Sequence, residues 1–186
     1  MEQETAEELY LSFAGIFQRP RPDIARHLEE LIDLWAQEIP SSEKVIGELR
    51  DFCRAFPAGE ARENALWGEY IPLFETGHVE APPYASVYLD GEGLVLGREA
   101  EEVRNFYLSS GYGLGSEQGE LPDHLGVELE FLALLAGTGS WDAAQSFRQK
   151  HLLPFLRVIL PKIRATERPV YSQAAELLTS WQLGQC

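Results

Sequence analysis

The chain has 186 residues, 45% of them hydrophobic and 11% aromatic, which suits a globular domain with a sizeable core and excludes a disordered chain. Fifteen Lys and Arg against 30 Asp and Glu give a formal charge of -15, a field that repels nucleic-acid phosphates and anionic lipid surfaces and favours a cationic peptide or basic protein segment. The two cysteines, Cys53 and Cys186, make neither a metal-ligand spacing nor a disulfide framework, so a reducing cytoplasm is expected. The N-terminus is acidic where a secretory signal would be basic, and no run approaches the ~20 apolar residues of a membrane span.

Thr5 and Glu8 form a capping-box pattern, after which Leu9, Tyr10, Phe13, Ile16 and Phe17 recur at helical spacing until Pro20 and Pro22. Ile24, Leu28, Leu31, Ile32 and Trp35 make a second stripe that Pro40 stops. Val45, Ile46, Leu49, Phe52, Cys53 and Phe56 make a third, ended by Pro57 and Gly59, which places Cys53 in the core. A fourth helix is expected from about Glu60 toward Phe74, with Pro72 bending or ending it because proline lacks a donor and clashes with the preceding turn.

From Glu75 to Gly97 the helical period disappears. Within it Val87–Leu89 and Leu94–Leu96 flank Asp90-Gly91 in the manner of a small hairpin. Helix resumes from Arg98 to about Ser110, followed by a loop carrying Gly111, Gly113, Gly115 and Gly119. The stretch 121–135 then reads as a central helix, because its apolar residues go most of the way around. Asp123 is placed in its first turn and Gly137 offers a left-handed stop. Ser140 can cap a further helix, Pro154 opens or kinks another, and Pro169 begins the last. About nine helices are expected, packed around the central one. The class is all-α, a single multi-helix domain spanning 1–186, with neither repeat nor linker.

The glycines at 111, 113 and 115 follow no strand and lead to no Gly-Lys-Ser/Thr, and Glu117 and Glu120 would repel phosphate, so they read as a loop rather than a nucleotide cradle. His124 and Glu128 share a helix face, either as a satisfied polar pair or as part of a site, but no third ligand stands at metal spacing. No nucleophile motif or paired-carboxylate context marks a catalytic group. The segment Gly77–Tyr88 stands out, since a rigid diproline between aromatic residues holds rings at fixed positions. That serves either a binding surface or a loop pinned to the core.

Three motifs in series, Glu69-Tyr70-Ile71-Pro72-Leu73-Phe74, Pro82-Pro83-Tyr84-Ala85-Ser86-Val87-Tyr88-Leu89-Asp90-Gly91 and Pro122-Asp123-His124-Leu125 running into Glu128-Leu129-Glu130-Phe131, resemble the TorD/DmsD/NarJ family of redox-enzyme maturation chaperones, closest to its TorD and DmsD branch. The resemblance implies an all-α cytoplasmic chaperone, not an enzyme and without a cofactor or metal. Such a chaperone binds the twin-arginine leader, and in some cases the body, of a molybdenum-containing oxidoreductase subunit, and withholds export until the cofactor is inserted. By motif, Pro82, Pro83, Tyr84, Ser86, Tyr88, Asp123 and His124 carry over as leader-binding residues, with Glu69, Leu73, Phe74 and Glu128 as supporting members. Tyr84 stands where some DmsD-type relatives have tryptophan. Guanine-nucleotide binding, ascribed to some relatives, finds no motif here, and homodimers, known in the family as domain swaps, are among the expected states. Two other classes compete with this one: a helical adaptor that grips a folded partner, and a metal- or nucleotide-dependent enzyme using His124, Glu128 and the glycine loop.

Overall fold

A computed structural model describes residues 3–41, 43–76, 78–91, 93–113 and 120–184. Ten α-helical segments and two single π turns are found among them, and no strand. In chain order they are α1 (Gln3–Phe17), α2 (Pro22–Glu38), α3 (Glu43–Ala55), α4 (Glu60–Tyr70), α5 (Ala85–Leu89), α6 (Arg98–Ser109), α7 (Leu125–Gly137), α8 (Trp141–Phe147), α9 (Leu153–Arg164) and α10 (Tyr171–Gln182). The π turns, Ile71–Glu75 and Arg148–Leu152, continue α4 and join α8 to α9, which leaves nine uninterrupted helical runs among the described residues.

The π turns sit where proline requires them. Pro72 has no N–H to return to the preceding turn, and the chain widens so that Thr76 N–H bonds Ile71 O at 3.1 Å instead. Pro154 follows the second π turn in the same way, with Leu153 N–H bonding Arg148 O. Neither proline ends its helix.

The chain gathers into two compact units, one built from residues up to Ala14 and Pro83–Val158, the other from Gly15–Pro82 and residues from Ile159 onward. In the first, α7 is the buried centre. Leu125, Leu129, Leu132 and Leu135 are sealed from solvent, and the Phe131 ring packs against Tyr107 at 4.3 Å and Phe147 at 4.9 Å between centroids. A helix this apolar has little surface to give to water, and neighbours cover it except along the strip Val127, Glu130, Leu134 and Gly137. The second unit has its own core, in which Leu28, Ile32 and Trp35 of α2 are fully buried. Its aromatic cluster joins Phe17, Tyr70, Phe74 and Tyr171 at centroid distances of 5.0 to 6.5 Å. There Arg62, 1% exposed, gives its guanidinium to Phe56 O, Cys53 O, Ala25 O and Glu29, satisfying carbonyls at the end of α3. Cys53 is a buried free thiol whose pKa burial raises, as its place in the apolar stripe of α3 predicts.

Local expectations fail at identifiable places. Val87–Leu89 is not a strand: residues 85–89 form α5, and 93–97 is irregular, with Leu94, Val95 and Leu96 exposed and Leu96 at φ 62°. The Asp90 carboxylate decides this, since it accepts from Glu99 N–H and so ties the turn to the start of α6 rather than to a partner strand. Thr5 lies inside α1, which is already helical at Gln3, so it caps nothing. Helix α7 starts at Leu125, and Asp123 precedes it. Gly137 ends α7 without a positive φ; the left-handed residue is Gly139, at φ 69°. Ser140 occupies the N-cap position of α8 but its side chain makes no bond to the helix amides. Gly115, Gly119 and Cys186 lie outside the described residues.

Candidate functional site

The diproline segment and the start of α7, some forty residues apart in sequence, are stitched together in the first unit. Tyr84 and His124 form an antiparallel bridge, with Leu125 N–H donating to Pro83 O at 2.8 Å and Ala85 N–H to Asp123 O at 3.0 Å. Asp123 adds a side-chain bond, its carboxylate accepting from Ser86 N–H at 2.8 Å, which serves the open N-terminus of α5. The Tyr107 hydroxyl donates to Pro122 O at 2.8 Å from α6, and so holds the turn that leads into α7. A diproline suits this joint, because its fixed φ pre-extends the chain and neither ring needs a donor where the neighbouring residues supply the bridge.

His124 caps α7. Its Nδ1 accepts from Gly126 N–H at 3.1 Å, and an accepting Nδ1 puts the ring proton on Nε2, which lies 4.0 Å from the Glu120 carboxylate. The Tyr84 ring stands edge-on to the imidazole at 5.4 Å, and its hydroxyl donates to the same Glu120 carboxylate at 3.4 Å. Tyr84 and Glu120 are both partly exposed, whereas Ser86, Asp123 and His124 are buried. The solvent-facing part of the joint is therefore a tyrosine edge with a carboxylate beside it. Tyr88 is partly buried against Phe155, with ring centroids 6.0 Å apart, and burial pushes its hydroxyl pKa up.

Glu128 lies one turn further into α7, fully buried, and neither carboxylate oxygen has a hydrogen-bond partner among the described residues. Burial, then the charges of Asp123 and Glu99, hold its pKa well above the ordinary carboxylate range. Its burial thus favours the protonated, uncharged form over the carboxylate. His151 Nδ1 is 2.6 Å from Glu99 in the same buried region. No group of three or more His, Cys, Asp or Glu among the described residues is arranged to hold a metal ion.

Of the residues singled out by motif, the structure brings Pro83, Tyr84, Ser86, Asp123 and His124 into one bonded joint. Pro82, which ends the first stretch of the second unit, precedes it. Glu69, Leu73 and Phe74 are buried in the second unit. Glu69 accepts from Val170 N–H at 3.0 Å ahead of α10, and its pKa is raised by burial, partly offset by that bond, one from Tyr171 N–H, and Arg168. Leu73 O accepts from Ala81 N–H at 3.0 Å, and Phe74 belongs to the aromatic cluster. Glu120 was legible in the sequence only as a loop acid. Its spacing of four from His124 could have drawn attention to it, but four-residue spacing implies proximity only within a helix, and none begins before Leu125.

The sequence profile of the nitrate reductase delta subunit family matches residues 36–160. The chain belongs to that family, the one its motifs resemble, and its curated relatives are TorD and DmsD chaperones. It is 26% identical to the chaperone protein TorD of Vibrio cholerae serotype O1, over 94% of this chain and 87% of the relative. It is 31% identical to the Tat proofreading chaperone DmsD of Haemophilus influenzae over 56% of this chain and 51% of that one. A crystal structure described as a redox enzyme maturation protein from Archaeoglobus fulgidus superposes with a TM-score of 0.62, at 28% identity, over 95% of this chain and 92% of that one.

Proposed function

We propose that the chain is a cytoplasmic chaperone that binds the twin-arginine leader of a molybdenum-containing oxidoreductase subunit and delays export until its cofactor is in place. Its relatives' chaperone names support the class, and the Tyr84–Glu120 pair carries the binding reading. An arginine offered to this joint meets a carboxylate for a charge-assisted bond and a tyrosine ring for stacking, inside the field of a chain with charge -15. Pro82, Pro83 and Tyr88 position that edge. Ser86, Asp123 and His124 act by holding the joint closed, and Glu69, Leu73, Phe74 and Glu128 support the cores beneath. The protein performs no catalysis in this reading, and it works on the whole of 1–186 as one chaperone domain, alone or as a homodimer.

Calorimetric titration with a synthetic Arg-Arg leader peptide tests this. Tyr84→Ala and Glu120→Gln should each raise Kd about tenfold, the equivalent of about 1.4 kcal/mol, with an unchanged helical signal. Removing the apolar region after the arginines should weaken binding further, because burial of apolar side chains adds to charge attraction. Equal affinity of both variants and the parent would remove the joint from the binding surface. A second reading, an adaptor for a folded partner, is favoured by the exposed Leu94-Val95-Leu96 trio. It predicts that isolated leader peptides do not bind.

A further inference from the structure

In the first unit one residue holds both the joint and the first turn of α7. His124 is bridged to Tyr84, and its carbonyl accepts from Val127 N–H at 2.9 Å and from Glu128 N–H at 3.0 Å while its ring holds Gly126 N–H. With the bridge undone that turn keeps only its own bonds, and a helix start without its anchor frays. Glu128 sits on this turn, so opening the joint and the turn together brings its carboxyl to water.

Among the described residues of the first unit three carboxyls are buried, and two have an answer to their charge. Glu99 has His151 Nδ1 at 2.6 Å, and Asp123 has Ser86 N–H at 2.8 Å. Glu128 has none: both its oxygens are sealed and unbonded. Burial, and then the negative charges of Asp123 and Glu99, favour its protonated form. The elements packed around it bring no Lys or Arg into a pair with it. From α6 come Glu99 and the buried Tyr107, with Arg98 and Arg104 exposed. The π turn brings His151, engaged with Glu99, the partly exposed Arg148, and Lys150, which pairs with Glu102 at 3.1 Å. From α5 come only the hydroxyls of Ser86 and Tyr88, from α8 the exposed Asp142, and α1 reaches the far end of α7 with Glu7, beside Gly137. On α7 itself Glu130 lies on the partly exposed strip, and the His124 ring is turned to Gly126 N–H and Glu120.

We infer that the Tyr84–His124 joint is a proton-linked clasp: the buried Glu128 carboxyl holds a proton while the joint is closed and gives it to solvent when the joint and the first turn of α7 open together. Each opening releases one proton, so acidity favours the closed form and alkalinity the open one. The opening equilibrium rises about tenfold per pH unit between the ordinary carboxyl pKa, about 4.3, and that of the closed form. Glu128 is thus a positioning residue, acting on the exposed edge through His124. The clasp rests on the chaperone reading only for its use, as regulation of the Tyr84–Glu120 edge, and its opening is measurable with no leader peptide present.

The test is amide-resolved hydrogen exchange of the full chain, free of ligand, at pH 5.5, 6.5 and 7.5, with rates written as protection factors so that the intrinsic pH dependence of exchange drops out. The amides of Ala85, Ser86, Leu125 and Glu128, all bonded within the clasp, should be less protected than that of Leu132 in the middle of α7. Their protection should fall about tenfold per pH unit until the pKa of the closed form is passed, and in Glu128→Gln it should stay constant. Clasp amides as protected as Leu132 would open only with the whole helix, and protection indifferent to pH would mean that no proton leaves; either result overturns the clasp. A dependence that survives in Glu128→Gln assigns the proton to another group and overturns it as well. Should that variant not fold, the carboxyl carbon-13 resonance of Glu128 in the parent takes its place. Titration of that resonance in the ordinary range, near pH 4.3, overturns the clasp, and titration above it over the pH range in which protection is lost supports it. Failure of leader peptides to bind removes the chaperone reading and leaves these exchange results as they are.

Discussion

Glu128→Gln should make the protein more stable at neutral and alkaline pH, the reverse of what replacing a charged buried residue usually does. Glu128 is 0% exposed with neither oxygen hydrogen-bonded, and burial, then Asp123 and Glu99, raise its pKa well above the ordinary value. In the unfolded chain the same carboxyl ionises near pH 4.3. The folded state therefore holds a proton that the unfolded state has released. The contribution of Glu128 is fully present below the unfolded pKa and is lost as pH rises toward the folded one, at about 1.4 kcal/mol per pH unit. Glutamine has the same shape and no charge, so it mimics the protonated acid and removes this slope. Urea unfolding of parent and variant at pH 5, 6, 7 and 8, followed by far-ultraviolet circular dichroism, should give a stability difference that widens in favour of the variant at about that rate until the folded pKa is passed. Titrating groups that do not interact with Glu128 are common to both proteins and cancel in the difference. Parallel stability curves across the whole range would refute the raised pKa of Glu128.

Three further outcomes follow from named contacts. Arg62→Ala should cost about 3–5 kcal/mol, read as a lower urea midpoint, because it strips four acceptors at once, three of them backbone carbonyls. Asp123→Ala should cost about 1–3 kcal/mol by leaving Ser86 N–H buried without its acceptor, and faster hydrogen exchange at Ser86 and Ala85 should accompany the loss. Cys53→Ala, in the core of the second unit, should lower stability by about 1 kcal/mol through a small cavity and leave peptide affinity per folded molecule unchanged by calorimetry.

Hydrophobic periodicity alone determined the class of this protein and most of its helices. The stripes of α2, α3, α6 and α10 each bury one face, and a helix that must do so announces itself every three or four residues. The all-round apolar character of 125–136 likewise marked α7 as a buried centre before any contact was known. Motif order pointed to the family.

What sequence could not decide were the places where a distant group outbids the local preference. Val87–Leu89 stands beside Asp90-Gly91 like the arm of a hairpin, yet it coils into α5 because Asp123 supplies the acceptor for Ser86 and Asp90 ties the following turn to α6. Asp123 looks like a first-turn residue of α7, but its carboxylate serves α5, and His124 takes over the capping. Pro72 reads as a bend or an end and Pro154 as a start or a kink, and sequence leaves those alternatives open; widening to a π turn carries the helix past both, because tertiary burial of Leu73, Phe74, Leu152 and Phe155 favours continuation. The candidate site follows the same rule. Its residue types were legible in the motifs, but only the tertiary structure separated the joint's buried fasteners, Ser86, Asp123 and His124, from its partly exposed edge, Tyr84 and Glu120. Exposure depends on which chain segments cover a residue, and the covering segments here lie some forty positions away.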